Sequence, residues 1–245
     1  DYSKWSEYGG NAEQHTVKQV PKDILIPLKP YDPTKQSNPK TVDPAYSVGY
    51  MGSYETDGDG HGSHPGVDIR VPIGTPIVSI ANGIVTSVRE DAGGFGKLVV
   101  IRHPHMPDPE HPDYTTVLHS SYSHLSSQLV SEGDIVQKGQ QIGLSGMTGF
   151  ASGPHLHFQI DRDTAPWHPY WPFTGAELRD AGLNTAKGVN TGFHQERGYE
   201  FTVQPMLVVQ ANRSAAKYDT AYDGSKATVV KKPSTAVKST KTVAQ

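Results

Sequence analysis

The sequence contains no cysteine. Disulfides and thiolate zinc sites are both excluded, so any transition metal must be held by His, Asp or Glu. Nothing in it approaches the about eighteen consecutive apolar residues of a membrane-spanning helix. An excess of one charge is also missing: the formal net charge is −3, which gives no whole-chain basis for nucleic-acid binding. Apolar residues make up only 35% of the 245, enough for a core but not a generous one. What is plentiful is glycine (25) and proline (19), which favours turns and short strands over long helices. The length allows one large or two small domains.

The most informative stretch is Gly153-Pro154-His155-Leu156-His157-Phe158-Gln159-Ile160-Asp161. Gly153 and Pro154 punctuate its approach, and the alternation that follows is that of a half-buried strand. In extended backbone the imidazoles of His155 and His157 share one face while Leu156 and Phe158 take the other. Two imidazoles on one strand face suit a metal and a base beside it. An isolated His-x-His is more often a pair on a solvated face, so the reading needs support from elsewhere in the chain.

Residues 1–50 are polar and turn-rich, with prolines at 21, 27, 30, 33, 39 and 44, and only Ile24 to Leu28 has strand character. An extended arm is expected there. The glycine-rich loop 51–63 contains Asp57, Asp59 and Gly60, as the start of a calcium loop does. It lacks that loop's later Gly and Glu and has no flanking helical pattern, so a plain loop is expected. His64-Pro65-Gly66-Val67-Asp68 comes next. Pro65 turns His64 away from helical geometry, and in extended backbone His64 and Asp68 share a side-chain phase.

From Ile77 short strands follow one another. Asn82-Gly83 reads as a hairpin turn joining Ile77–Ala81 to Ile84–Arg89, and Lys97 to Arg102 follows the turn Gly93-Gly94-Phe95-Gly96. His103 to Asp113 holds four prolines. Pro104, between His103 and His105, disfavours central-strand pairing, so both are expected to be loop histidines at the rim of a site. Tyr114 to Leu125 resumes as a strand, with His119 and His124 on opposite faces unless a bulge intervenes. Trp167 to Phe173 is an aromatic cluster, read as packing that clamps a loop onto the sheet in preference to a wall for sugar or peptide. Thr174-Gly175-Ala176-Glu177 has the form of a capping box, opening a short helix that Gly182 ends. Met206 to Val209 suits one more strand. From Ala211 the composition collapses to Ala, Ser, Thr, Lys and Val, as in a solvated basic tail. The expected organisation is an arm over 1–50, a domain over 51–210 and a tail over 211–245.

Three pieces in this order, His64-x-x-x-Asp68, Tyr122-x-His124-Leu125 and His155-Leu156-His157, resemble the motif set of the lysostaphin-type (M23, LytM-like) zinc metallopeptidases. Gly74-Thr75-Pro76-Ile77, the Gly133-Asp134-x-Val136-x-x-Gly139-Gln140 run and the approach Gly146-x-Thr148-Gly149 match as well, so that the likeness covers residues 64 to 161. The resemblance implies a mainly β fold: an antiparallel β-sheet core with a groove holding one Zn2+, an extended N-terminal arm and one short helix after the core. It implies cleavage of peptide bonds in bacterial peptidoglycan. It makes His64, Asp68 and His157 the zinc ligands and His124 and His155 the catalytic histidines, with Tyr54 and Tyr122 as auxiliary candidates.

The residue chemistry supports that division. Three protein ligands leave zinc an open fourth position, the mark of a catalytic site. Two neutral imidazoles and one carboxylate leave the site net positive, able to acidify water and polarise a carbonyl. His155 or His124 then accepts the proton or hydrogen-bonds the oxyanion, with either assignment open. The expected molecule is an extracytoplasmic monomer (periplasmic, envelope or secreted). Its expected partner is the peptidoglycan peptide, with no nucleic acid and no transmembrane segment, any signal peptide being absent from a chain that starts at Asp1. The His103 to Asp113 loop departs from the family in its length and prolines. Two other readings carry less. A catalytically silent, wall-binding or hydrolase-activating relative usually lacks some of the ligands that are intact here. A lipoyl- or biotinyl-type carrier, suggested by the Gly-Asp-x-Val run, needs a lysine at a hairpin tip where this chain has Asn82-Gly83.

Overall fold

The structure is a computed structural model, and it describes residues 45–55, 59–108 and 115–211. The expected arm up to residue 44, with its Ile24 to Leu28 strand, and the tail from residue 212 lie outside the described residues, as do 109–114. In chain order the strands begin β1 (Ala45–Val48), β2 (Val67–Arg70), β3 (Pro76–Val78), β4 (Gly83–Asp91), β5 (Gly96–Pro107) and β6 (Thr115–Leu125). There follow β7 (Ser127–Gln128), β8 (Ile135–Val136), β9 (Gln141–Leu144) and β10 (Leu156–Arg162). Then come helices α1 (Gly175–Asp180), α2 (Thr185–Asn190) and α3 (Gln195–Phe201), strand β11 (Thr202–Val203) and helix α4 (Pro205–Ala211).

The main sheet is antiparallel throughout, in the order β1-β2-β10-β6-β5-β4-β8, with β11 pairing the far end of β10. A smaller sheet runs β3-β9-β7. Period-two alternation sorts the central strands into two faces. Leu156, Phe158 and Ile160 of β10 join Leu118 and Tyr122 of β6, Val99 and Ile101 of β5 and Val67 of β2 in one core. Burying each such large side chain is worth roughly 1.5–3 kcal/mol, which fixes the register, because a one-residue slip would turn the apolar row outward. The opposite face carries His157, Gln159 and Asp161 of β10 against Ser123, Ser121 and His119 of β6.

Several expectations from the sequence are corrected. Asn82-Gly83 is not a two-residue hairpin turn. β3 pairs with β9 in the small sheet, while β4 pairs with β5 and β8. Residues 79–82 make the crossing between sheets: Ile80 N donates to the Tyr122 hydroxyl at 2.9 Å, and the Asn82 carboxamide oxygen accepts from Lys138 N at 2.9 Å. Part of the expected arm, residues 45–48, is strand β1 on the edge beside β2. β5 continues through His103, which is buried and lies 2.7 Å from Ser120 Oγ, far from any rim. Pro104 and His105 fall in the irregularity between His103 and Met106, where a missing N–H costs the ladder nothing. The one expected helix is accompanied by three more. α1 has the anticipated capping box, with Thr174 Oγ1 accepting from Glu177 N. Met206 to Val209 is helical, not extended: Pro205 stands at the first turn and Gln204 Oε1 caps Met206 N at 2.6 Å.

Candidate active site

The pairing of β2 with β10 sets Asp68 directly opposite His157, so both side chains stand on one face as cross-strand neighbours. His64 sits just before β2, held by a bridge to Gly52. Gly66 lies between them with no room for a side chain: a Cβ there would meet His157 Nε2 at 2.9 Å and Phe158 O at 2.7 Å. The result is a triangle of ligand atoms. His157 Nδ1 is 3.0 Å from His64 Nε2 and 3.0 Å from Asp68 Oδ1, and His64 Nε2 is 3.2 Å from Asp68 Oδ1.

These are hydrogen-bonding distances, and although burial opposes it, Asp68 raises the pKa of His64, so without a cation a proton is shared between these groups and a metal would displace it. His64 Nδ1 donates to Gly66 O at 3.0 Å, and His157 Nε2 faces Gln159 Oε1 at 3.0 Å. When both rings are neutral, as a bound cation requires, these outer bonds place each ring proton on the outer nitrogen and leave two nitrogen lone pairs and a carboxylate oxygen aimed at one point. Tetrahedral zinc, with bonds of about 2.0–2.1 Å, needs ligand–ligand edges of about 3.3 Å. The edges found are within a few tenths of that, so the donor set fits a divalent cation. Burial alone would raise the Asp68 carboxyl, yet the imidazoles of His64 and His155 hold it well below the usual carboxylate range. Burial pushes His157 down, in part against the pull of Asp68.

The other two histidines flank the triangle. His155 Nδ1 donates to Gly153 O at 2.8 Å, and its Nε2 lies 3.6 Å from Asp68 Oδ1. His124 reaches the site because β6 bulges there: three residue steps of β6, from Tyr122 to Leu125, oppose two of β5. His124 has a left-handed backbone, φ 60°, which a non-glycine residue adopts at a cost and where the surroundings enforce it. Its Nδ1 donates to Thr148 O at 2.7 Å, and its ring lies 4.5 Å from that of His155. Burial, with the neighbouring His155 and His157, pushes its pKa down to about 3, so the ring is neutral with Nε2 unprotonated.

A groove of about 650 Å3 runs over these residues. One bank is the turn after β4 with the 149–152 segment, pinned where Gly149 lies against Gly94 and Gly96 too closely for any Cβ. Trp171 and the start of α2, Thr185 and Ala186, also line it. Phe95 packs 5.5 Å from His157 and 5.6 Å from Trp171, ring to ring. The sequence reading gave Phe95 no role and favoured packing over a groove wall for the cluster that holds Trp171. Phe95 stood in a glycine-rich turn with nothing to pack on nearby in sequence, the one available hint. The Trp167 to Phe173 cluster divides its labour: Tyr170 and Phe173 are buried packing, whereas Trp171 lies 6.0 Å from His64 and lines the groove.

Of the auxiliary candidates, Tyr54 lines the groove with its ring 5.9 Å from that of His64. Tyr122 does not. It points to the core face, packs on Phe158, and its hydroxyl is used by Ile80 N and Ser120. The bulge is the physical reason that Tyr122 and His124, two apart, part company. His119 shares the sheet face of His157 but stands at the Asp161 row, bound to Asp163 at 2.8 Å and stacked on His168.

Residues 62–169 match the family model of peptidase family M23. That segment makes this chain a member of peptidase family M23. Over 97 residues the chain is 45% identical to an uncharacterised metalloprotease of Haemophilus influenzae, covering 40% of this chain and 18% of that protein. It is 41% identical over 97 residues to the peptidoglycan DD-endopeptidase ShyA of Vibrio cholerae, covering 40% of this chain and 20% of that one. It is 40% identical over 116 residues to lysostaphin of Staphylococcus simulans, covering 46% of this chain and 21% of lysostaphin. The crystallised lysostaphin catalytic domain aligns at 35% identity with a TM-score of 0.38, over 48% of this chain and 79% of that domain. The M23 chain thus spans about a fifth of the length of these curated relatives. The four site histidines and the aspartate lie within the matched segment, whereas Trp171, Thr185 and Ala186 of the groove lie after it and Tyr54 before it.

Proposed function

We propose that this chain is a zinc-dependent endopeptidase that hydrolyses peptide cross-links of bacterial peptidoglycan, acting outside the cytoplasm. The observation that carries the reading is the triangle of His64, Asp68 and His157, three buried side chains whose ligand atoms converge on one point. The relatives named above, among them a peptidoglycan DD-endopeptidase, supply the substrate class. All five side chains come from one chain, so a monomer suffices.

His64 Nε2, Asp68 Oδ1 and His157 Nδ1 would hold the ion. When bound, zinc acidifies water and polarises the scissile carbonyl. The protein's own part is then proton handling. His155 and His124 each keep Nδ1–H on a carbonyl and Nε2 on the groove side. One of them takes the proton of the attacking water at Nε2 and returns it to the departing amine. With ring centroids 4.5 Å apart, a proton on one disfavours a proton on the other, so the pair carries a single proton at a time. Phe95 and Trp171 bound the groove with apolar surface, which excludes bulk water and strengthens these interactions. A silent wall-binding module, the alternative, has no use for such a set of lone pairs.

The test is release of new amino termini from purified peptidoglycan. Activity is expected to vanish on chelation, return with Zn2+, and be lost in His155→Ala. Full hydrolysis by the chelated protein would refute the reading.

A further inference from the structure

Behind His157 the same sheet face carries Gln159 and Asp161, both fully buried, and the proposed hydrolysis uses neither. We propose that Gln159, anchored by Asp161, is a positioning residue for the metal, fixing both the orientation and the tautomer of His157. This inference rests on the reading of the triangle as a metal centre.

The amide of Gln159 has no choice of orientation. Its Nε2 donates to Tyr170 O at 2.7 Å and to Asp161 Oδ1 at 2.5 Å. A carbonyl and a carboxylate oxygen are acceptors only, so the amide cannot be turned round. Oε1 is therefore the atom 3.0 Å from His157 Nε2, and an oxygen there demands Nε2–H. A neutral imidazole carries one ring proton, so Nδ1 is left bare toward His64 and Asp68. Asp161 is fixed in its turn by Tyr170 N and His168 Nδ1, each 3.0 Å from Oδ2. A carboxylate, an amide and an imidazole thus stand in line behind the ion's position. Burial raises the Asp161 carboxyl above its ordinary value against the hydrogen bonds from His168, Gln159 and Tyr170 N; when ionised it polarises the amide and makes Nδ1 a better donor to a cation. An apolar residue of equal volume at 159 would pack as well but would let His157 exchange tautomers.

Two measurements on wild type, Gln159→Met and Asp161→Asn decide it: zinc affinity by chelator competition on folded, metal-stripped protein, and the imidazole 15N shifts of His157. Gln159→Met is expected to bind zinc about 10–100-fold more weakly, with the Nδ1-protonated tautomer of His157 now populated. Asp161→Asn should move both readouts the same way by less, and the ring shifts of His124 and His155 should stay put. A merely structural role would lower the melting temperature of the metal-free variants while leaving affinity per folded molecule and tautomer as in wild type; that result overturns the proposal. Should Gln159→Met fail to fold, metal-free wild type still decides, since an Nδ1-protonated His157 there is incompatible with the network. Absence of zinc binding by a wild type that shows the Nε2–H tautomer would instead overturn the metal reading on which the proposal stands.

Discussion

The sheet and the helical segment that follows it build the groove in different ways. On the sheet, Asp68 and His157 face each other because β2 and β10 are in register, and register is enforced by a buried apolar row on the reverse side. The segment α1–α3 instead reaches back through a few isolated hydrogen bonds. Asn190 Oδ1 accepts from Tyr54 N at 2.8 Å and from Ser53 Oγ at 3.2 Å, Ser63 N donates to Val189 O at 2.9 Å, and Gln195 Nε2 donates to Gly60 O and Gly62 O. The proposed ion-binding triangle is thus set by a cooperative lattice of backbone bonds, and the groove's outer wall by a few replaceable clamps. Metal retention and substrate engagement should therefore be separable by mutation.

The strongest challenge to that division is Asp68→Ala. It removes the only anionic ligand and should abolish stoichiometric zinc binding and all hydrolysis, with inductively coupled plasma analysis and wall digestion as the readouts. Zinc retained at one equivalent would mean that the triangle is not the metal site. Next in size, His155→Ala should keep its zinc and lose roughly 10^2–10^4-fold in kcat, the usual range for a lost general base. Parallel loss of metal would place His155 among the ligands.

Acid separates the two regions by a different route. Burial pushes the His103 pKa down to about 4 from an unfolded value near 6.5, so the unfolded chain binds more protons between these values. Stability is then full above about pH 6.5 and falls as pH drops toward 4, by about 3 kcal/mol from this group. Glu177, at the start of α1, is drawn down to about 2 by Arg197 and by the backbone and hydroxyl of Thr174. Its contribution is full above its ordinary value and fades only as pH falls toward 2. Between pH 6.5 and 4.5 the sheet should therefore soften while the α1 cap holds. The melting temperature of His103→Gln, which keeps a donor for Asn82 O but cannot titrate there, should change less over that interval than wild type. Equal slopes would remove His103 from the account.

The smallest effect expected is at the clamp. Asn190→Ala should raise KM and reduce kcat/KM about threefold to tenfold, in line with two lost hydrogen bonds of roughly 0.5–1.5 kcal/mol each, with zinc content unchanged. Asn190→Asp, which keeps the acceptor, should restore most of it. Loss of zinc in Asn190→Ala would show that the two regions are not independent.

Much of the site was legible because its signals are local. His155 and His157 sit two apart across the start of β10, and His64 and Asp68 keep a common phase across a Pro-Gly turn. What was not legible depends on partners distant in sequence. Nothing in Tyr122 to Leu125 marks the bulge, since no Gly or Pro sits there; Lys97 and Val99 of the neighbouring strand reveal it. Asn82-Gly83 carries the composition of a tight hairpin, but tertiary bonds to Tyr122 and Lys138 recruit the flanking backbone for a crossover. Helices α2 and α3 span six and seven residues, too short for a 3.6-residue period to emerge. The run Met206 to Val209 is equally apolar as strand or helix, and Pro205 decides it.

The triangle joins points 93 residues apart along the chain. In a polypeptide with no sulfur cross-link to fall back on, an ion held there would also act as a staple, closing a long loop and tightening the native state by its own binding free energy. Starving such a protein of metal would then do more than silence it. It would loosen the seam between β2 and β10 and expose the chain to proteolysis, so that supply of the ion sets how long the molecule lasts as well as whether it works.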